Sequence, residues 1–184
     1  LNFAGHHPSR IELLEIINFR DVLGTYENRC LEGEPVNRGE DALGGGKALI
    51  ARIEDKTGVD LIDAAYFAYG LGLQHKHVPE MRVHAKLDHA PLFVPSVGRF
   101  RQGMIVEVPL QLWALPGAPS VADIKDALVG HYRDAAFVTV ADDALAAERS
   151  ALLDPEELND TNDLRLFVFG NQDRGQVVLA AFVR

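Results

Sequence analysis

An α+β fold is what this sequence predicts, with a mixed, largely antiparallel sheet flanked by helices. Three observations point to it. The first is a long alternating run, in which Met104, Val106, Val108, Leu110 and Leu112 alternate with Ile105, Glu107, Pro109, Gln111 and Trp113. A period of two marks a strand, and Glu107 and Gln111 interrupt one of its two largely apolar faces. The second is a pair of apolar runs, Leu164–Gly170 and Gln176–Phe182, joined by Asn-Gln-Asp-Arg-Gly at 171–175. Such a polar, glycine-ended joint between strands signals a hairpin. The third is the order of elements, which mixes helices and strands without the strict alternation of a parallel α/β sheet.

The elements follow in order. Ser9 with Glu12 has the form of a capping box, so a helix is expected from about Arg10 to Leu23, stopped by Gly24. Thr25–Leu43 is charged and turn-rich, which reads as a loop or irregular connection. The Gly44–Gly46 run and Lys47 open a second helix, to about Lys56, closed by Gly58. Ala65–Gly70 is short and aromatic and reads as a strand, as does Leu92–Val97. Between them, Pro79 and Glu80 mark a helix start. Proline suits the first helical turn, and an acid there suits the helix dipole. A helix over Val78–Leu87 follows, with His77 at or beside its N-terminus. Pro109 lacks an N–H and so favours an edge position for its strand. Ser120 with Asp123 caps a helix over Val121–Tyr132, with Val121, Ile124 and Leu128 on one face. Phe137–Val140 reads as a strand and Asp142–Leu153 as a helix. Two parts are expected: residues 1–43, a helix plus irregular connection, and residues 44–184, an α+β domain.

Composition excludes several classes. At 184 residues the chain has room for one domain with a real core, and 47% apolar with 24% charged content is globular. The net charge of −9 argues against a nucleic-acid groove, which needs a basic face. A small anionic ligand remains compatible through a few local donors. A single cysteine, Cys30, excludes an internal disulfide and suggests a reducing, cytoplasmic setting. No apolar run approaches the roughly 20 residues of a membrane helix, and the first residues lack the pattern of a signal peptide.

Chemistry concentrates between Gly70 and Leu112, which hold four of the seven histidines. His75 and His77 stand two apart. The positive end of a helix dipole disfavours an imidazolium, so a neutral imidazole at His77, able to accept a proton, is expected there. A general acid–base histidine is one reading, partly exposed histidines without a role are the plainer one, and a His-x-His metal site is a third. No Asp, Glu or Cys at ligand spacing completes a metal set with His84 or His89. The Gly44–Lys47 run is not a nucleotide P-loop, because Asp41 and Ala48 stand where that loop needs glycine and Ser or Thr. The amides of Gly45 and Gly46 with the charge of Lys47 still suit an anion, against the plainer reading of a flexible helix start. In Gly98-Arg99-Phe100-Arg101-Gln102-Gly103, two arginines flank an aromatic just before the long strand. A guanidinium fork takes carboxylate or phosphate, and a solvated turn is the equally weighted alternative. Cys30 lies between Glu27 and Glu32 with only Arg29 to favour a thiolate, so it reads as structural or incidental.

From Gly44 onward the chain resembles N-acetyl-gamma-glutamyl-phosphate reductases of the shorter subtype. The resemblance rests on GGGKALIARIED at 44–55, YGLGLQHKHVPEM at 69–81, FVPSVGRFRQGMIVEVPLQLWALPG at 93–117 and LNDTNDLRLFVFGN at 158–171. It implies the catalytic and dimerisation domain of that family, which is like the catalytic domain of glyceraldehyde-3-phosphate dehydrogenases, and a homo-oligomer formed through the sheet. It also implies an NADP cofactor and an anionic acyl-phosphate substrate. In the family a cysteine attacks the acyl phosphate, dividing one hard displacement into two easier steps, and a histidine of the His-x-His-x-Pro-Glu segment handles the proton. His77 matches that position best, with His75 beside it. Lys47, Gly45, Gly46, Arg101 and Gln102 match positions near the substrate phosphate.

The departures are specific. Nothing in Leu1–Leu43 reads as the strand, glycine-rich turn and helix of a dinucleotide fold. Cys30 has neither the Asn-Pro-Gly-Cys-Tyr-Pro-Thr-like setting nor the spacing of the family's nucleophile, so that role is not carried onto it. Glu40 and Asp41 stand where an anionic substrate would approach, and the sequence stops at Arg184 before the helix that returns to the nucleotide domain in the family. The expectation is therefore a reductase catalytic domain that is incomplete here. The alternative is a non-catalytic remnant serving as a dimerisation or anion-binding module.

Overall fold

A computed structural model describes residues 51–53, 55, 57–59, 61–100 and 102–183. The expected helix at Arg10–Leu23, the connection Thr25–Leu43 and most of the helix from Lys47 lie outside the described residues, though 51–53 are helical. The described chain falls into two compact units divided between Arg99 and Phe100.

The first unit is built on a two-stranded antiparallel ribbon. β1 (Tyr66–Ala68) pairs with β2 (Ser96–Gly98), Phe67 facing Val97. Backbone bonds from Tyr69 N–H to the Pro95 carbonyl and from Arg99 N–H to the Ala65 carbonyl extend the pairing at either end. The second strand was expected at Leu92–Val97 and starts later. Pro91 and Pro95 lack amides for a ladder, so regular pairing begins only at Ser96. α1 (His77–His84) crosses between the strands and buries Met81. Arg82 folds back to donate to the carbonyls of Leu87 (3.3 Å) and Asp88 (3.0 Å), which ties down the chain after the helix.

The second unit holds the larger core. β3 (Met104–Gln111), β4 (Val138–Val140), β5 (Leu164–Asn171) and β6 (Gln176–Val183) form one sheet in the order β3-β6-β5-β4. The β3–β6 and β5–β6 pairs are antiparallel and β4–β5 is parallel, so the sheet is mixed and largely antiparallel. β3 lies at an edge, where Pro109 is tolerated. Its alternation is visible in burial: Glu107, Pro109 and Gln111 are exposed, while Val106, Val108 and Leu110 are half-buried. The β5–β6 hairpin forms as its turn residues imply, with Asn171 Oδ1 accepting from Arg174 N–H at 3.1 Å.

A helix covers each face of the sheet. α2 (Val121–His131) has the expected capping box: Ser120 Oγ accepts from Asp123 N–H, and Asp123 Oδ2 accepts from Ser120 N–H at 2.8 Å. It buries Ile124, Ala127 and Leu128, and Val121 packs against Gly170 of β5. Side chains alternate along a strand, so α2 lies on the face of Gly170, Val168 and Leu166. The opposite face carries Phe167, Ala180 and Phe182, packed with Ala141 and Leu158 and flanked by Leu145, Ala146 and Leu153. Leu145 and Ala146 come from α3 (Asp143–Arg149), capped by Asp142 Oδ1 accepting from Leu145 N–H at 2.8 Å. The helix expected over Asp142–Leu153 is thus shorter. Its last expected residues instead lead Leu153 into the core and leave Leu152 exposed. Phe167 stacks on Phe169 at 5.5 Å and meets Phe182 edge-on at 5.4 Å. Each fully buried phenylalanine contributes roughly 1.5–3 kcal/mol.

Candidate active site

The histidine pair is assembled by the turn before α1. Gly70 has a left-handed φ of +64°, which favours glycine, and lies beside Pro95 and the His75 ring. Leu73 N–H then bonds the Gly70 carbonyl at 3.0 Å, with Leu73 itself at φ +58°. An exposed leucine in that conformation costs of order 1–3 kcal/mol, and it turns the chain so that His75 faces inward.

His75 is held by aromatic edges. Its ring centre lies 5.8 Å from Tyr69, 5.1 Å from Phe93 and 4.8 Å from His77, each edge-on. His77 is the first residue of α1, as expected, and both histidines are half-buried. Pro79 sits third in the helix and Glu80 fourth, within the first turn. A helix start leaves its first amides without intrahelical acceptors, and here His75 meets two of them. Its Nδ1 accepts from His77 N–H at 3.3 Å and its carbonyl accepts from Val78 N–H at 3.0 Å. Pro79 has no amide to satisfy. The N-cap residue Lys76 lies in the helical region and supplies no side-chain cap.

His84 and His89 are exposed, and His84 closes α1 two turns away from His77. Among the described residues no three His, Cys, Asp or Glu side chains come together to hold a metal ion. An open groove along α1 is lined by Val78, Pro79, Arg82, Val83, Lys86, Leu87 and Ala90, and neither His75 nor His77 lines it.

The substrate-side residues divide differently. Gly45, Gly46, Lys47 and Arg101 lie outside the described residues, as does Cys30. Gln102 is exposed and belongs to the second unit, where its neighbour Gly103 has φ +97°. A Cβ on Gly103 would lie 2.0 Å from the Pro155 carbonyl oxygen, so only glycine fits. The turn carrying Pro155 is fixed by Glu157, which accepts from Arg165 at 2.7 Å and from Arg149 Nε at 3.0 Å. The hydrogen bond to Glu157, and next its negative charge, raise the pKa of Arg149 above its already high value. Arg99, the first arginine of the Arg-Phe-Arg stretch, is committed within its own unit. It donates to the Ile62 carbonyl at 2.7 Å and pairs with Asp63 at 3.3 Å.

Sequence reasoning missed the clamp of Tyr69 and Phe93 and the capping role of the His75 ring. Both aromatics lie inside the stretches that carry the resemblance, but nothing in their spacing says that they meet at one imidazole.

Residues 43–183 match the family described as semialdehyde dehydrogenase, dimerisation domain. The chain belongs to that family. The α+β class fits it, with a helix on each face of a mixed sheet. This dimerisation domain is also 48% identical over 151 residues to the N-acetyl-gamma-glutamyl-phosphate reductase of Brucella suis (strain ATCC 23445 / NCTC 10510). The Brucella ovis and Brucella canis reductases of the same name match it equally well. Each match covers 80% of this chain and 47% of the relative, so the chain spans about half the length of the curated relatives it matches. No helix among the described residues is long and apolar enough to cross a membrane.

Proposed function

We propose that this chain supplies the catalytic and dimerisation domain of an NADP-dependent N-acetyl-gamma-glutamyl-phosphate reductase, an oxidoreductase of arginine biosynthesis working in the cytoplasm as a homo-oligomer. The observation that carries the reading is His77. It is a half-buried imidazole at the first position of a helix, braced by a second histidine, within the residues that match the dimerisation-domain family. A positioned imidazole of this kind transfers protons to and from a bound acyl group. The substrate's phosphate falls to Gly45, Gly46 and Lys47, where backbone amides and an ammonium suit a small anion.

The nicotinamide nucleotide would supply hydride to the acyl carbon. The described residues do not fit it. The parallel strand that leads into a helix by a short turn, β4 into α3, has Ala141 and Asp142 at the turn and no glycine. The Asp142 carboxylate already occupies the helix start, where a pyrophosphate would need free amides. The reading therefore assigns nucleotide binding to parts of the enzyme other than these residues, and no step is routed through it. His77 holds and moves the proton, and the glycine loop holds the phosphate.

The second reading is a dimerisation or anion-binding module without turnover, favoured by the acids Glu40 and Asp41 beside the glycine loop. Phosphate titration followed by amide shifts tests the anion site that both share. A saturable change at Gly45 and Gly46, lost in Lys47→Ala, is expected. No saturable change, or equal binding by Lys47→Ala, overturns the site.

A further inference from the structure

We infer that His75 is a positioning residue for His77, taking the capping part that the Lys76 side chain does not play. The inference deepens the proposed function and rests on its reading of His77 as the proton-transfer group.

The ordinary N-cap is an extended residue whose side-chain oxygen accepts from an early helix amide. α1 departs on both counts, because Lys76 is at φ −57° and ψ −25° and caps nothing with its side chain. The work passes one residue back. The His75 ring nitrogen takes the amide of His77, and its carbonyl takes the amide of Val78. An accepting Nδ1 carries no proton, so His75 is the tautomer protonated at Nε2. The backbone of the proposed proton carrier is thus tied to the ring of its neighbour, and the two rings touch edge-on.

The ring is held for this task from the other side. Tyr69 and Phe93 meet it edge-on, and Gly70 lies beside it. Tyr69 is pinned in turn by its backbone bond to Pro95. The chain from β1 to β2 therefore converges on one imidazole, which sets the place of the next one.

Two substitutions separate capping from packing. In His75→Asn, Oδ1 stands near the position of Nδ1 and keeps the acceptor while the ring is lost. In His75→Phe the ring and its aromatic contacts remain and the acceptor is lost. Hydrogen exchange at the His77 amide is the readout, with long-range proton–nitrogen spectra for the ring tautomers. In the wild type His75 should show the Nε2–H tautomer. His75→Phe should exchange the His77 amide about ten-fold faster, the size of a lost helix cap, and shift the His77 ring signals. His75→Asn should stay within about two-fold of wild type, since the capping acceptor is kept. Unchanged amides in β1 and β2, the ribbon of the same unit, check that each variant folds. Protection kept by Phe, or lost by Asn, overturns the inference and leaves His75 a packing residue. These readouts report geometry alone. They stay decisive if phosphate titration goes against the proposed function, so the two failures are distinguishable.

Discussion

The two units of this chain are stabilised in different ways. Residues 100–183 bury fifteen apolar side chains apart from proline, with Phe167 and Phe182 at the centre, whereas the described part of 51–99 buries only Met81 and Ala85. The exposed large hydrophobics show the reverse, with Val59, Leu61, Tyr66, Leu71, Leu73, Val83, Leu92 and Val94 all in the histidine unit. The sheet unit rests on apolar burial, which is non-directional and tolerant of detail. The histidine unit rests on a short ribbon, ring edges and single hydrogen bonds, which are directional and locally breakable. The candidate chemistry lies where the packing is thin and the geometry specific.

Substitutions break that contrast in order of size. Phe167→Ala removes a fully buried ring that meets both Phe169 and Phe182. It should cost about 3–5 kcal/mol, read by urea denaturation as a lowered midpoint. The β5 signals should be lost at lower urea than in the wild type, while the His75 and His77 signals keep their wild-type midpoint. Loss of both sets together at every urea concentration would mean one cooperative unit. Gly103→Ala comes next, since its Cβ collides with the Pro155 carbonyl and its φ is left-handed. A loss of about 1–3 kcal/mol is expected, with shifts spreading to Asn159, whose Nδ2 reaches the Gln102 carbonyl. Unchanged stability in Gly103→Ala would mean that the 154–160 turn yields to the added carbon. Ser120→Ala deletes half of a capping box and should cost about 1 kcal/mol, seen as faster exchange in the first turn of α2 and nowhere in α1. Glu157→Gln is the smallest. Its ion pairs with Arg149 and Arg165 are partly exposed, so about 1 kcal/mol or less is expected.

The same contrast explains what the sequence revealed. Capping, alternation and hairpin chemistry are local, so α2, β3 and the β5–β6 hairpin were legible to within a residue or two. The start of α1 was legible from Pro79 and Glu80. The ribbon was less so, because Leu92–Val97 has strand-like composition while Pro91 and Pro95 defer the pairing to Ser96–Gly98. For the candidate site, the resemblance singled out both histidines but not that the ring nitrogen of His75 meets the backbone amide of His77. The His75 ring lies between Gly70 and Phe93 there. Such a meeting leaves no periodicity. Arg99 lies in a stretch whose pattern fits an anion fork and a solvated turn equally, and the pattern does not show that its Nη2 donates to Ile62 and Asp63.

The central claim is that His77 and the glycine loop serve one anionic substrate. Inorganic phosphate titrated into the labelled chain tests it, following the His77 ring together with the Gly45 and Gly46 amides. The account predicts that all three move saturably with one dissociation constant, of millimolar order, the affinity of a few charged contacts worth about 4 kcal/mol together. A His77 ring that stays in place while the glycine amides titrate, or no saturable shift at any of them, would contradict it.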